Sequence, residues 1–409
     1  MGRAGTLAAH TRVAILTLAL VAGALSAAWV GAARADGPGI GTASVVSLGD
    51  SYISGEAGRW AGNTNEESSW VDALGARAYY DNEAHTAEKI AGCHRSLSAE
   101  VYIGGGLNTT NLACSGATTA THFGEEEEFK PGIDFYSSGA NRGQALMLQE
   151  YARTHNVKLV ALSIGGNDFN FASIVQTCLT DWLTSPWWWQ DHCEDDSEVT
   201  ANFTRENIAA KTTAIKNAIL NVHRAMVEAG YRDEMYAVIV QDYESPLPNG
   251  SGFRYEEAGW ERQEVGGCGF WDADANWANA TALPTIDNAV HNAATESRLT
   301  NVRTLLLGSA FNSRRLCEST VGLLEERGIT SWRAAGAVDR TEWVNQIRTI
   351  SALFGVYELQ EDLHPNYWGQ LALRNCLRQA YNAGTPRGGT CTRTGTGLTA
   401  NGEPVMTLR

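Results

Sequence analysis

The chain has little of what marks most specialised protein classes. Only 19% of its 409 residues are charged and only 9 are proline, against 44% hydrophobic residues and 42 glycines. That balance excludes a wholly disordered, collagen-like or coiled-coil protein. Basic residues are in deficit. Lys and Arg number 31 against 46 Asp and Glu, a formal charge of −15. Nothing neutralises phosphates in bulk, so a nucleic-acid partner is excluded and the acidity reads as solvated surface. No Cys-x2-Cys pair occurs, which argues against a zinc site. There is no internal repeat. Beyond residue 31 no stretch of about 18 apolar residues is found, so no membrane span is expected past that point.

What is present begins with a leader. Arg3, His10 and Arg12 give a basic start, Val13 to Gly31 is apolar, and Ala33-Arg34-Ala35 is a small-x-small site. Residues 1–35 therefore read as a secretory signal peptide cut before Asp36. An uncleaved anchor is the alternative, since the apolar stretch is long enough. A secreted, extracellular location fits the eight cysteines, Cys93, Cys114, Cys178, Cys193, Cys268, Cys317, Cys376 and Cys391. An even count in an exported chain reads as disulfides, although eight cysteines allow about a hundred pairings. The simplest is sequential: Cys93–Cys114, Cys178–Cys193, Cys268–Cys317 and Cys376–Cys391. It leaves no thiol free to act as a nucleophile.

Four short runs, 43–49, 158–164, 235–241 and 302–307, are nearly continuous in apolar or β-branched residues. Strands buried on both faces of a parallel sheet have this composition. Helical patterns lie between and after them at 141–153, 206–229 and 366–382. In the second, Ile208, Ile215, Ile219, Val222 and Met226 fall on one face, and Gly230 supplies the stop. The alternation predicts a three-layer α/β/α sandwich around a central parallel sheet. Residues 60–90, 121–140 (with Glu125 to Glu128) and 244–285 read as loop insertions. Residues 36–384 form the expected domain. The Gly/Thr-rich stretch 385–409 reads as a mobile tail tethered at Cys391.

Chemistry concentrates at strand ends. In Gly49-Asp50-Ser51-Tyr52-Ile53-Ser54-Gly55-Glu56 a serine follows a buried strand on a tight turn, at the edge where α/β folds place their sites. A serine hydroxyl needs a base within hydrogen-bond reach. His364, in Glu361-Asp362-Leu363-His364-Pro365, is the best placed of nine histidines. Pro365 keeps it out of helical geometry, and the acidic residues two and three positions earlier are placed to orient its ring. Acyl transfer also needs oxyanion donors. Gly165-Gly166-Asn167-Asp168 follows the second strand and offers Asn167. Cys114-Ser115-Gly116-Ala117 offers the Gly116 N–H, and Ser51 its own N–H. Asp50 and Asp168 read as supports for their turns.

In that order the blocks resemble the SGNH (GDSL-type) hydrolase superfamily, and within it the secreted actinobacterial lipase/esterase branch. The resemblance spans about residues 43 to 382. Gly49-Asp50-Ser51 corresponds to the nucleophile block, Gly116 to the glycine donor, Gly166-Asn167-Asp168 to the asparagine donor and His364-Pro365 to the base. Cys93-His94-Arg95-Ser96 is similar to a segment of that branch, whose near-neighbour disulfides agree with sequential pairing. The resemblance implies a flavodoxin-like sandwich and a Ser51 acyl-enzyme with His364 as general base. It implies an oxyanion hole from Ser51, Gly116 and Asn167, a small-molecule ester or lipid substrate, and no metal or cofactor. Two positions depart from the pattern. Tyr52 stands where Leu is usual, a change of little expected consequence. Glu361 stands where an Asp orients the histidine; a backbone carbonyl serves that role in some members. A monomer is expected. Trp182, Trp187, Trp188 and Trp189 read either as an apolar lip for an acyl chain, lipid surface or sugar, or as a packed stapled loop. His94-Arg95 reads as a structural ion pair. A carbohydrate O-deacetylase and a non-catalytic glycan- or wall-binding protein are the competing functions.

Overall fold

The computed structural model describes residues 36–124, 127–348 and 361–409. The expected signal peptide, Glu125 and Glu126 lie outside the described residues. A seven-stranded sheet organises the residues from Asp36 onward. Its strands are β1 (Ala43–Gly49), β2 (Asn108–Asn111), β3 (Asn156–Ser163), β4 (Ala237–Gln241), β5 (Val302–Leu306), β6 (Gly389–Leu398) and β7 (Pro404–Leu408). The spatial order is β7-β6-β5-β4-β3-β1-β2. Every neighbouring pair is parallel except β6–β7.

The apolar runs are continuous because successive side chains enter different cores. Val45, Leu159, Ala161 and Ile239 face one, with Ile174 and Leu179 of α3 (Phe171–Thr184) and Leu371 and Leu377 of α6 (Tyr367–Tyr381). Val46, Val160, Leu162 and Val238 face the other. There they meet Leu148 of α2 (Gln144–Ala152), Ile215 and Ile219 of α4 (Arg205–Glu228) and Val290 of α5 (Leu283–Glu296). Leu159 and Leu162 are fully buried, and each such side chain contributes about 2 kcal/mol of transfer free energy. The expected sandwich is thus present, with helices on both faces. α4 begins where the Thr204 side chain accepts from the Asn207 N–H and ends before Gly230, at φ +100°. Among the described residues no helix is long and apolar enough to cross a membrane.

Four disulfides join Cys93 to Cys114, Cys178 to Cys193, Cys268 to Cys317 and Cys376 to Cys391. The stretch after Gly384 differs from its expectation as a mobile tail. It forms β6 and β7, and β6 extends the sheet by pairing Gly389 with Leu305 and Thr390 with Leu306. Its period of two explains why. Pro404, Met406 and Leu408 point inward while Val405 and Thr407 stay half exposed, and Cys391 is buried against α6. The outward Thr and Gly dominate the composition and mask the strand.

Candidate active site

Four loops converge at the C-terminal edge of the central strands. β1 ends at Gly49, which has φ +139°; a Cβ there would lie 1.8 Å from the Ser163 carbonyl oxygen of β3. Only glycine lets the two strand ends approach so closely. The buried Gln144 side chain clamps the same point, accepting from the Gly49 N–H at 2.7 Å and donating to its carbonyl at 2.9 Å. Asp50 then caps the short helix α1 (Ser51–Ser54), accepting from the Tyr52 N–H at 3.2 Å. Ser51 is the first residue of that helix, so its own N–H has no intrahelical acceptor.

His364 meets Ser51 from the other end of the chain. Its Nε2 lies 2.6 Å from Ser51 Oγ, and both residues are buried. Its Nδ1 lies 2.9 Å from the Asp362 backbone carbonyl. A carbonyl only accepts, so Nδ1 carries the proton and Nε2 is free to accept from the serine. Burial pushes the His364 imidazole below its ordinary value, against the upward pull of the Glu56 carboxylate. The ring is therefore neutral at neutral pH, the state a base requires.

The expected role of Glu361 is corrected by the geometry. Its carboxylate turns away from the histidine, accepting from Trp60 Nε1 at 2.7 Å and from the Tyr79 hydroxyl. Two strong donors from the 60–90 insertion occupy it, and burial pushes its pKa up. The Asp362 carbonyl, not a side chain, sets the histidine's orientation. Leu363, between them, has φ +58°, a conformation that costs a branched residue about 1–3 kcal/mol. Tyr52 helps hold it. Its hydroxyl donates to the Leu363 carbonyl at 3.1 Å and its ring lies 4.9 Å from the imidazole. The Tyr in place of Leu thus has a structural consequence that the sequence reading discounted.

The oxyanion candidates are tied together by side chains. Asn167 Nδ2 donates to the Ala117 carbonyl at 2.9 Å, which leaves its second N–H uncommitted by that bond. Asp168 accepts from the Thr119 N–H at 3.1 Å and its hydroxyl at 2.6 Å. Gly116, one residue before Ala117, has φ +75°. Tyr243, which follows β4, bridges the two turns; its hydroxyl donates to Asp50 at 2.5 Å and accepts from the Gly166 N–H at 2.9 Å. Burial pushes the Asp50 carboxyl up to about 7, opposed by the Tyr243 hydrogen bond. Asp50 and Asp168 thus sit as hydrogen-bonding supports of their turns.

Glu56 has no assigned role in the sequence reading, although it closes the serine motif. Fully buried, it accepts from Ser115 Oγ at 2.5 Å and pairs with His94 Nδ1 at 2.6 Å; its second oxygen is 3.8 Å from His364 Nε2. Burial works against its charge, yet the two imidazoles beside it win and hold the carboxyl below its usual value, while His94 is correspondingly raised. His94 therefore pairs with Glu56 through Nδ1, and its Nε2 lies 3.8 Å from Glu88. Arg95 binds the Ala113 and Leu112 carbonyls and Asp81, fixing the strand that leads to Cys114. The available sequence signal was a glutamate five residues after the serine, in the same turn.

A cleft beside Ser51 is lined by Asn167, Phe171, Tyr243, Glu244 and Leu283, among others. It shares Phe171, Pro246, Leu283 and Ile286 with a neighbouring cavity, whose walls include Ile174, Val175, Phe270, Trp277 and Leu363. The insertion 244–285 supplies much of that apolar wall. Trp182 packs on Trp271 beneath the surface, whereas Trp187, Trp188 and Trp189 are exposed.

No family model matches the chain, and no curated protein matches it. Among solved structures it is similar to an extracellular lipase from Streptomyces rimosus, at 18% identity over 83% of this chain and 100% of the lipase, with a TM-score of 0.45. It is similar also to phospholipase A1 from Streptomyces albidoflavus NA297, at 16% identity over 83% of this chain and 99% of that one, with a TM-score of 0.44. A third is a carbohydrate acetylesterase from Sinorhizobium meliloti, at 12% identity over 69% and 92%, with a TM-score of 0.28.

Proposed function

We propose that this chain is an exported serine ester hydrolase of the SGNH type, acting on acyl esters with Ser51 as nucleophile and His364 as general base. The observation that carries the reading is the 2.6 Å contact between Ser51 Oγ and a buried, neutral His364 whose other nitrogen rests on a carbonyl. In this reading His364 takes the hydroxyl proton as Oγ attacks the ester carbonyl. The Ser51 and Gly116 N–H groups and Asn167 hold the oxyanion. The imidazolium then gives its proton to the leaving alcohol, breaking the C–O bond, and water attacks the acyl-enzyme with His364 again as base. The Glu56 carboxylate offsets the positive charge that develops on the ring.

The apolar walls of the cavity next to Ser51 favour an acyl chain over an acetylated sugar. An esterase or lipase is therefore preferred to a carbohydrate deacetylase. The four disulfides favour an oxidising, extracellular location. The test is hydrolysis of a p-nitrophenyl ester series from acetate to palmitate by the parent chain and Ser51→Ala. Turnover that rises above acetate and vanishes in the variant supports the reading. Turnover that persists in Ser51→Ala refutes the nucleophile, and a strict acetate preference restores the deacetylase.

A further inference from the structure

The loop closed by Cys178–Cys193 presents three consecutive indoles to solvent. Trp187, Trp188 and Trp189 are 63%, 72% and 79% exposed. Soluble surfaces seldom carry so concentrated an apolar knob without a use for it. The knob is also held in place. Ser185 Oγ donates to the Asp181 carbonyl at 2.6 Å and accepts from the Asp191 N–H at 3.1 Å and Trp271 Nε1 at 3.3 Å. A turn bond from the Trp189 N–H to the Pro186 carbonyl, at 2.8 Å, fixes the crest. The Trp182–Trp271 pair beneath already supplies the packing, so the three outer indoles are not needed for the core.

The surrounding charge narrows the partner. Between Phe171 and Thr204 there are six acidic residues, Asp181, Asp191, Glu194, Asp195, Asp196 and Glu198, and no Lys or Arg. Burial first, then repulsion from Asp196 and Asp191, pushes Asp181 up to about 6. An anionic surface is repelled by such a rim. A flat sugar-stacking platform is not formed either, because the Trp187 and Trp188 rings stand at 88° to each other. Indoles over a negative rim suit a quaternary ammonium group, which the ring faces attract directly and the carboxylates attract at longer range. Indoles also settle at the headgroup level of a lipid–water interface. The location is continuous with the site. α3 carries Phe171 and Ile174 in the wall of the apolar cavity and runs on to the Trp loop at its far end, about 20 Å by helical rise.

We propose that Trp187, Trp188 and Trp189 dock the protein onto a lipid surface bearing choline headgroups. Docking in this way holds the cleft near a surface that carries acyl esters, and it does not depend on turnover. Ser51→Ala protein, which leaves the vesicles intact, is tested by co-sedimentation and by the shift of Trp emission. The vesicles are of phosphatidylcholine, or of phosphatidylglycerol at the same salt. The expected result is binding to phosphatidylcholine, weaker binding to phosphatidylglycerol, and a loss of at least about tenfold in partition when Trp187, Trp188 and Trp189 are all changed to Ala. A melting curve matching the parent's establishes that the triple variant is folded; a single exposed change, Trp189→Ala, gives a smaller loss in the same direction. No binding to phosphatidylcholine by the parent overturns the proposal. So does equal binding to both lipids, or full retention in the folded triple variant. Because the assay uses inactive protein, these outcomes leave the hydrolase reading untouched.

Discussion

Glu361 separates two accounts of how His364 is oriented, and Glu361→Ala tells them apart. If a side-chain acid oriented the ring, its removal would cost about 10⁴ in kcat, the scale set by a wrong histidine tautomer in a serine protease triad. Here the carboxylate instead accepts from Trp60 Nε1 and the Tyr79 hydroxyl, both on the 60–90 insertion. Removing it takes away the acceptor of both bonds, one from the buried Tyr79 and one from the half-buried Trp60. Each lost bond costs about 1–3 kcal/mol, so the variant loses about 2–6 kcal/mol of stability. That is a large part of an ordinary domain's margin of roughly 5–15 kcal/mol, though not all of it. The carbonyl that accepts from Nδ1 belongs to Asp362 and survives the change, so kcat falls by less than about tenfold. Urea unfolding read beside initial rates on a p-nitrophenyl ester measures both quantities. Tyr79→Phe added to Glu361→Ala removes the other partner of one of these bonds and recovers part of the stability, because deleting both partners of a buried hydrogen bond costs less than deleting one. A hundredfold loss of kcat at an unchanged unfolding midpoint would refute the reasoning.

Burial holds His364 below the ordinary imidazole value of 6.5, and only the neutral ring can take a proton. Hence kcat/KM rises with pH along a limb whose midpoint lies below 6.5; a pH–rate profile on an uncharged ester with its midpoint at 7 or above contradicts this. Tyr52→Phe deletes the hydroxyl that holds the Leu363 carbonyl, and is expected to lower kcat about three- to thirtyfold while costing about 1 kcal/mol of stability. Unchanged kcat in that variant would show that the loop needs no such tether. Deleting residues 404–409 strips β7 from β6 and exposes Met406 contacts on α6, so soluble yield and melting temperature should both fall; a truncated chain that melts like the parent would restore the loose-tail view.

What could be read in advance followed from where each residue's partners lie. β1, β3 and β4 announce themselves because both faces are buried and most positions are therefore apolar, and β5 keeps Val302, Leu305 and Leu306 although Arg303 is exposed. β2, Asn-Thr-Thr-Asn, carries no such signature. As an edge strand it needs only one covered side, and Asn111 serves as a clamp, accepting from Ser47 and donating to the Ser54 carbonyl. β6 and β7 went unread for the same reason, with inward residues at every second position among Thr and Gly. Ser51 and His364 were legible because each is placed by its own local turn, the one after a strand and the other before a proline. Glu361 misled because spacing along the chain says nothing of where a side chain turns, and its donors are some 280 and 300 positions away. Glu56 was silent because its meaning depends on His94 and Ser115.

On the proposed mechanism, the site divides between two groups what an acid triad assigns to one. In a triad the carboxylate both selects the tautomer and offsets the charge of the imidazolium. Here the Asp362 carbonyl selects the tautomer from the Nδ1 side with a dipole that carries no net charge. The charge sits on the other side, on Glu56, 3.8 Å from Nε2 and partly quenched by its pairing with His94. A full carboxylate on Nδ1 would raise the histidine's pKa and leave more of it protonated before reaction. The divided arrangement keeps the resting ring neutral through burial, and brings in the negative charge most strongly once the ring is charged. Glu56 is reachable from Ser51 within one helical turn and its cap. In the proposed mechanism the serine block thus delivers both the nucleophile and the counter-charge to its base, while the histidine loop delivers only orientation.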